Sequence, residues 1–302
     1  MERPIAVANR SGVSSAKPRK RRTKVRPFSA FEYAMLMAVV LVATVPLAWT
    51  ALTSLKPEDQ IFLYPPTILP SSFTLDNFRH LFVQTHFATY LLNSSYVSSA
   101  TTLMTIVLGT IGAYSFARFQ TKHRYLRLLG QLSLVAYMLP AILLVVPIAL
   151  LVYDFGLGAN LSALVFVYTA TSLPFALWIL RSYFFGVSVE LEEAAMVDGC
   201  TRFGAFIRVV IPQAVPGIIA TAIFVFNGIW QEYLFASILL QGDPNSLTLS
   251  IGLSHFINPS GDVFEWGVLM AASVVMTVPV IVLFTLAQKQ LVGGATLGAI
   301  KG

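Results

Sequence analysis

Apolar residues dominate most of this chain and fall into long runs separated by shorter polar stretches. Six of these runs have about 20 or more largely apolar residues, the length that a helix needs to cross a bilayer. The runs cover residues 32–52, 90–116, 128–153, 161–180, 215–240 and 266–288. Pro140, Pro147, Pro174 and Pro279 lie inside runs and predict kinked, packed helices, because neighbouring helices must satisfy the carbonyls that proline leaves free. The pattern therefore predicts an all-α, polytopic membrane protein with six transmembrane helices.

One polar interruption, residues 189–217, is patterned as two short helices at a membrane surface. Ser188 is a suitable N-cap for the first helix, and Gly199 can adopt the left-handed conformation that ends it. Thr201 can cap the second helix, and Pro212 is predicted to end it before the next membrane span. Spacing of i, i+3, i+4 and i+7 predicts one apolar face on the second helix: Phe203, Phe206, Ile207 and Val210.

Composition supports a membrane protein and excludes several other classes. Of the 302 residues, 56% are hydrophobic and only 11% are charged, against about 25% charged in soluble globular proteins. The single cysteine, Cys200, excludes an intramolecular disulfide and a cysteine-based metal site. The four histidines lack ligand-like spacing, and no nucleophile–base constellation is apparent, so neither a metal centre nor a catalytic site is predicted.

The basic residues predict an orientation for the spans. Of the 20 lysines and arginines, 18 fall in the N-terminal tail, the connections after the second and fourth spans, and the C-terminus. Basic residues concentrate on the cytoplasmic side of membrane proteins, so both termini and the 189–217 stretch are predicted to be cytoplasmic. Residues 1–30 are predicted to be a disordered basic tail that fixes orientation rather than a nucleic-acid arm or a signal peptide. Residues 31–302 are then the six-helix transmembrane domain.

A family resemblance rests on the polar stretch. The residues that carry it are, in order, Glu193-Ala194-Ala195, Gly199, Val209 and Ile211-Pro212. This spacing resembles the EAA loop of permease subunits of binding-protein-dependent ABC importers, in which Ile and Leu usually occupy the positions of Val209 and Ile211. In that family the loop, here residues 188–212, docks into a cleft on a cytoplasmic ATPase. The resemblance implies these coupling residues: Glu193, Ala194, Ala195, Gly199, Phe203 and Pro212. An ordinary amphipathic connector is the alternative.

Further segments resemble the MalG-like branch, which serves sugar importers. They are Pro65-Pro66, Leu75-Asp76-Asn77-Phe78, Leu81-Phe82, the run from Gln288 to Gly294 and the run from Gly298 to Gly302. With the EAA loop, the resemblance covers nearly everything after residue 30. It implies a carbohydrate importer in the inner membrane of a prokaryotic cell.

The resemblance also implies partners. These are a second, related permease subunit, two ATPase subunits and an extracytoplasmic solute-binding protein. The chain has no nucleotide-binding motif, so ATP and magnesium are expected on the separate ATPase, with no cofactor and no enzymatic activity in this chain. Membrane lipid is an expected partner and nucleic acid is not.

Polar and aromatic residues near the end of the fifth run are candidates for the substrate pathway. They are Asn227, Trp230, Gln231, Glu232 and Tyr233. Aromatic faces beside hydrogen-bonding groups suit a sugar, and an acid inside a span usually faces a cavity or a partner. Gln231 stands where the family usually has Asn, so contact with a partner permease or a role in an outer gate is an equal alternative. The hydroxyl-rich second run, from Asn93 to Thr102, is expected to pack helices closely rather than to bind substrate.

Other transported solutes and other mechanisms remain as alternatives. An importer for a polar solute such as a glycerol phosphate ester has the same architecture. An ion-coupled secondary transporter needs a titratable group buried near the midplane of the membrane, and only Glu232 qualifies.

Overall fold

Helices make up almost all of the chain that the computed structural model describes, residues 29–257 and 265–299. They are α1 (Ala30–Ser54), α2 (Glu58–Ile61), α3 (Asp76–Val83), α4 (Phe87–Phe119), α5 (Arg124–Met138), α6 (Ala141–Asp154), α7 (Leu161–Gly186), α8 (Val189–Val197), α9 (Arg202–Ala205), α10 (Ile211–Trp230), α11 (Leu234–Leu239), α12 (Leu249–Ile257) and α13 (Trp266–Ala299). A π-helical turn, Phe206–Val210, joins α9 to α10, and a 3₁₀ turn, Pro244–Ser246, precedes α12. The predicted basic tail lies outside the described residues, apart from its last two positions.

The chain divides into two compact units, one up to Pro46 and one from Leu47 onward. The first unit contains the start of α1, which a capping box fixes. The Glu32 N–H donates to Ser29 Oγ (3.3 Å), and the Ser29 N–H donates to Glu32 Oε2 (2.5 Å). This reciprocal pair satisfies backbone donors that a helix start otherwise leaves free. The apolar side chains of residues 30–46 are exposed, as expected for a helix surrounded by lipid.

Within the described residues, five helical runs are long and apolar enough to cross a membrane. They are Ala30–Ser54, Phe87–Phe119, Leu161–Gly186, Arg202–Trp230 and Trp266–Gln288. The predictions of the first, second, fourth and sixth spans are confirmed as continuous helices. A sixth crossing exists only where α5 and α6 count as one bent span.

The predicted third span is broken instead of continuous. α5 and α6 meet at an angle of 104°. Pro140 causes the break, because proline disfavours helical geometry in the residue before it. Leu139 accordingly has an extended backbone, with φ −71° and ψ 128°. The sequence indicated a kink here, but the change of direction is far larger than a kink.

The predicted fifth span has wrong limits at both ends. α10 stops at Trp230, and α11 begins only at Leu234. The Glu232 carboxylate accepts the N–H groups of Phe235 (2.9 Å) and Ala236 (3.3 Å), which starts a new helix. Pro212 does not end the preceding helix, because the helical backbone continues from the π turn into the first turn of α10, where Pro212 lies. In the π turn before Pro212, the Ile211 N–H donates to the Phe206 carbonyl, five residues earlier.

Close packing of α4 against α7 forms the most extensive helix–helix contact in the described chain. A Cβ added at Gly109 of α4 would lie 3.3 Å from Ala176 Cβ on α7, so the two backbones approach closely there. Ser94, Ser98 and Thr101 of α4 are buried, which supports the expected packing role of the hydroxyl-rich run. Ser94 Oγ also accepts the Leu249 N–H at 2.7 Å and so attaches α12 to α4.

Candidate functional site

The α8–α9 turn has the local geometry that its residues predict. α8 ends in a Schellman motif, in which the Cys200 N–H donates to the Ala195 carbonyl and the Gly199 N–H donates to that of Met196. Gly199 has a φ of +92°, which confirms its predicted left-handed conformation. Thr201 Oγ1 accepts the Gly204 N–H at 3.1 Å, so the second predicted cap is also confirmed.

Ser188 occupies the N-cap position of α8 but forms no capping hydrogen bond to the backbone. Its hydroxyl donates instead to the Glu190 carboxylate. This hydrogen bond favours the charged form and holds the pKa of Glu190 below its usual range. The predicted cap residue therefore stabilises the start of α8 through an acidic side chain in the first turn.

The outer surface of this helical pair, which we call the coupling surface, combines small and apolar residues. Glu193, Ala194 and Gly199 are exposed, and Ala195 is half-buried. Val197 and Phe203 are 87% and 71% exposed, so two large apolar groups are open to a partner. Apolar side chains presented this way are typical of a docking surface.

The predicted single apolar face of the second helix is wrong. Phe206 and Val210 are buried, whereas Phe203 and Ile207 are exposed. The π-helical turn changes the repeat to i→i+5 from Phe206 to Val210 and so alters the side that Ile207 takes. Phe203 lies before this turn, with its ring centroid 6.3 Å from that of Phe206. Phe206 packs 4.4 Å from the Tyr114 ring and 6.3 Å from the Phe184 ring, measured between centroids. These contacts hold the segment against α4 and α7.

Sequence reasoning missed a buried ion pair below the coupling surface. Glu192 is buried, and its Oε2 lies 2.9 Å from Nε of Arg118, at the end of α4. Tyr114 donates its hydroxyl to Oε1 of the same carboxylate. The Arg118 guanidinium also donates to the carbonyls of Phe184 (3.1 Å) and Val187 (3.0 Å). The available signal was the adjacent pair Glu192 and Glu193, since neighbouring helical residues face different directions.

Two of the five pathway candidates form contacts within this chain, Trp230 buried and Glu232 half-buried. Trp230 is 1% exposed and stacks on Phe226, and its Nε1 donates to the Met276 carbonyl at 3.2 Å. Glu232 accepts the Tyr168 hydroxyl in addition to the two backbone N–H groups of α11. Trp230 therefore has no aromatic face free for a ligand in this conformation. Glu232 connects α7 to α11.

Of the other three candidates, Gln231 and Tyr233 are exposed and Asn227 is half-buried. Gln231 Nε2 donates to Asn227 Oδ1 at 2.9 Å. Phe224 lies on the same side of α10, three residues before Asn227, and is 52% exposed. We call the surface formed by Phe224, Asn227 and Gln231 the α10 polar face.

An aromatic row that the sequence did not indicate continues from this face. The Phe224 ring lies 6.4 Å from that of Phe175 on α7, which lies 5.7 Å from that of Tyr137 on α5. Phe175 follows Pro174, and Tyr137 lies just before the bend between α5 and α6. The row thus connects three helices beside the amides of Asn227 and Gln231. In the described part of the chain, no group of three metal-ligating side chains comes together.

Several apolar helices around a shared core, with a solvent-exposed helical hairpin between two of them, define a multi-pass membrane protein of the transport class. Residues 105–294 match the family described as "binding-protein-dependent transport system inner membrane component", and the chain belongs to that family. Its members are membrane components of transport systems and not enzymes.

Curated relatives and a solved structure agree with this assignment. The chain is 35% identical to the trehalose/maltose transport system permease protein MalG of Thermococcus litoralis, over 89% of this chain and 95% of that protein. It is 35% identical to the diacetylchitobiose uptake system permease protein DasC of Streptomyces coelicolor, over 85% of this chain and 91% of that protein. A bacterial ABC transporter that imports alginate shares the fold, with a TM-score of 0.75, 20% identity, and coverage of 88% of this chain and 99% of that one.

Proposed function

We propose that this chain is one of two permease subunits of an ATP-driven importer and forms half of the translocation pathway for a carbohydrate. The substrates named for the two relatives above, trehalose/maltose and diacetylchitobiose, are disaccharides, and they support this proposal. Dependence on a binding protein follows from the family to which the chain belongs. The second permease subunit and the two ATPase subunits complete the proposed assembly, with ATP and magnesium on the ATPase.

The observation that carries the proposal is the coupling surface. Its turn is fixed by Gly199, small residues line one side, and Val197 and Phe203 remain unburied within this chain. Such a surface suits insertion into a cleft, because a helix that enters a cleft needs a slim side and apolar contacts. Glu193 adds a charge for a basic group on the ATPase. Closure of the ATPase dimer would then move this hairpin and open the pathway toward the binding protein.

The α10 polar face and the aromatic row favour a carbohydrate over other solutes. A sugar stacks its C–H face on aromatic rings, while its hydroxyls bond to amides such as those of Asn227 and Gln231. A glycerol phosphate ester would require cationic groups for its phosphate. No lysine or arginine lies between Ile211 and Trp230.

An ion-coupled mechanism receives less support from the same structure. Its required titratable group would be Glu232, whose carboxylate already accepts one hydroxyl and two backbone N–H groups. A proton carrier must gain and lose its proton during transport. These three donors favour a fixed carboxylate that connects helices.

Charge and size changes on the coupling surface test the proposal. Glu193→Lys and Ala195→Arg should each leave the membrane helices inserted but weaken co-purification of the ATPase or binding-protein-stimulated uptake in proteoliposomes. Asp154→Lys is the matched charge reversal on an exposed residue at the end of α6 and should behave like wild type. If both surface variants keep wild-type ATPase association, ATP hydrolysis and uptake, the hairpin is only a connector and the proposal is wrong.

A further inference from the structure

The pair formed by Arg118 and Glu192 is shielded from water. The side chains are 7% and 4% exposed, and the Nε–Oε2 distance is 2.9 Å. Removing two charges from water is costly, and the cost is recovered only where the remaining hydrogen-bonding groups are satisfied. Here Tyr114 satisfies the second carboxylate oxygen, and two backbone carbonyls satisfy the outer nitrogens of the guanidinium.

This single guanidinium joins three helices. Arg118 belongs to the last turn of α4, and Glu192 belongs to α8. The carbonyl of Phe184 belongs to the last turn of α7 and that of Val187 to the residue that follows it, where a cation also interacts favourably with the helix dipole. Only Val187 and Ser188 separate α7 from α8, so the bonds span a very short connection.

Two adjacent glutamates on α8 point in different directions. Glu193 is exposed on the coupling surface, whereas Glu192 is directed toward Arg118. A displacement imposed on the outer side of α8 therefore acts directly on the bonds of Arg118. Because α4 and α7 pack along each other, the same displacement would reach both membrane helices together.

We propose that Arg118 is a positioning residue that, with Glu192 and Tyr114, transmits movement of the α8–α9 hairpin to the α4–α7 pair. The inference rests on the proposed function, since the imposed movement comes from an ATPase. These three buried residues would pass on a movement that the exposed coupling surface only receives.

Arg118→Lys is the informative variant. Lysine keeps the charge and can still pair with Glu192, but it lacks the planar fork that reaches the carbonyls of Phe184 and Val187 at once. We expect the complete transporter to assemble, with sugar uptake per ATP hydrolysed lowered on the order of tenfold, the effect of losing one hydrogen bond to a charged group. Arg124→Lys, the same change at an exposed position on α5, should keep the wild-type ratio.

Glu192→Gln provides a second, milder variant. The amide keeps the shape and one acceptor for Arg118, so we expect an intermediate fall in the ratio with normal assembly. Wild-type ratios in both variants would overturn the inference, and so would loss of ATPase association in both, because the pair would then only support the fold. Failure of the wild-type chain to bind any ATPase would instead refute the proposed function.

Discussion

Gly199 is the residue whose conformation most constrains the coupling surface. Its φ of +92° lies in the region that side chains disfavour, and a Cβ there would meet no atom within 4 Å. A substitution therefore acts through backbone strain and not through a clash. The Schellman hydrogen bonds to Ala195 and Met196 depend on that conformation.

We predict that Gly199→Val lowers the free energy of unfolding of the hairpin by about 1–2 kcal/mol, the cost of a left-handed conformation. Gly199→Asn should cost less, because Asn tolerates this region better. The measurement is the thermal midpoint of the purified permease in detergent. Gly186→Ala is the control, because its added Cβ also meets no atom within 4 Å and its φ is not positive. Equal midpoints for Gly199→Val and Gly186→Ala would contradict the strain argument.

The roles that could be predicted from the sequence are those that depend on nearby backbone groups. Gly199 and Thr201 act on backbone groups within five positions, so their roles can be predicted from the sequence alone. The choice between Glu192 and Glu193 depends on Arg118, 74 positions away. Nothing in the spacing of two adjacent acids decides which one is buried.

At the scale of elements, the end of α10 also depends on a contact that the local sequence does not reveal. Residues after Trp230 are apolar enough to continue a membrane helix, so hydropathy predicts a span to Leu240. The actual break depends on Glu232, which binds Tyr168, 64 positions away. Pro140, by contrast, breaks α5 from α6 through a local effect, although only the structure gives the size of the bend.

Gln231 and Glu232 are adjacent, and they should respond differently to substitution. Glu232→Leu removes the acceptor for the first N–H groups of α11, so we predict a loss of stability of about 0.5–2 kcal/mol and a lower yield of assembled transporter. Gln231→Leu changes only an exposed amide and should leave assembly intact while lowering sugar uptake. Thermal midpoints and uptake in proteoliposomes measure both effects. Normal uptake with Gln231→Leu would remove the α10 polar face from the pathway.

At the scale of the whole molecule, orientation in the membrane is the main expectation to test. It rests on the 18 basic residues that fall on one predicted side. The α8–α9 hairpin must lie on that side to meet an ATPase. The number of crossings depends on whether α5 and α6 together form one bent span.

We predict that Cys200, which is half-buried, reacts with a membrane-impermeant maleimide only after the cells are permeabilised. In a Cys200→Ser background, Thr121→Cys should behave in the same way. Ser71→Cys and Asn245→Cys, both exposed, should be labelled in intact cells. Labelling of Cys200 from outside would reverse the orientation and place the hairpin out of reach of a cytoplasmic ATPase.

The π turn between α9 and α10 allows one helical run to continue from Arg202 to Trp230, a length of 29 residues. At about 1.5 Å per residue this run is roughly 44 Å long. A tilt of about 5° at the Arg202 end would displace the Trp230 end by about 4 Å, enough to separate hydrogen-bonded atoms. The groups at that far end include the Trp230–Met276 bond and the amides of the α10 polar face. Small movements of the hairpin would thus be amplified where a sugar is expected to pass.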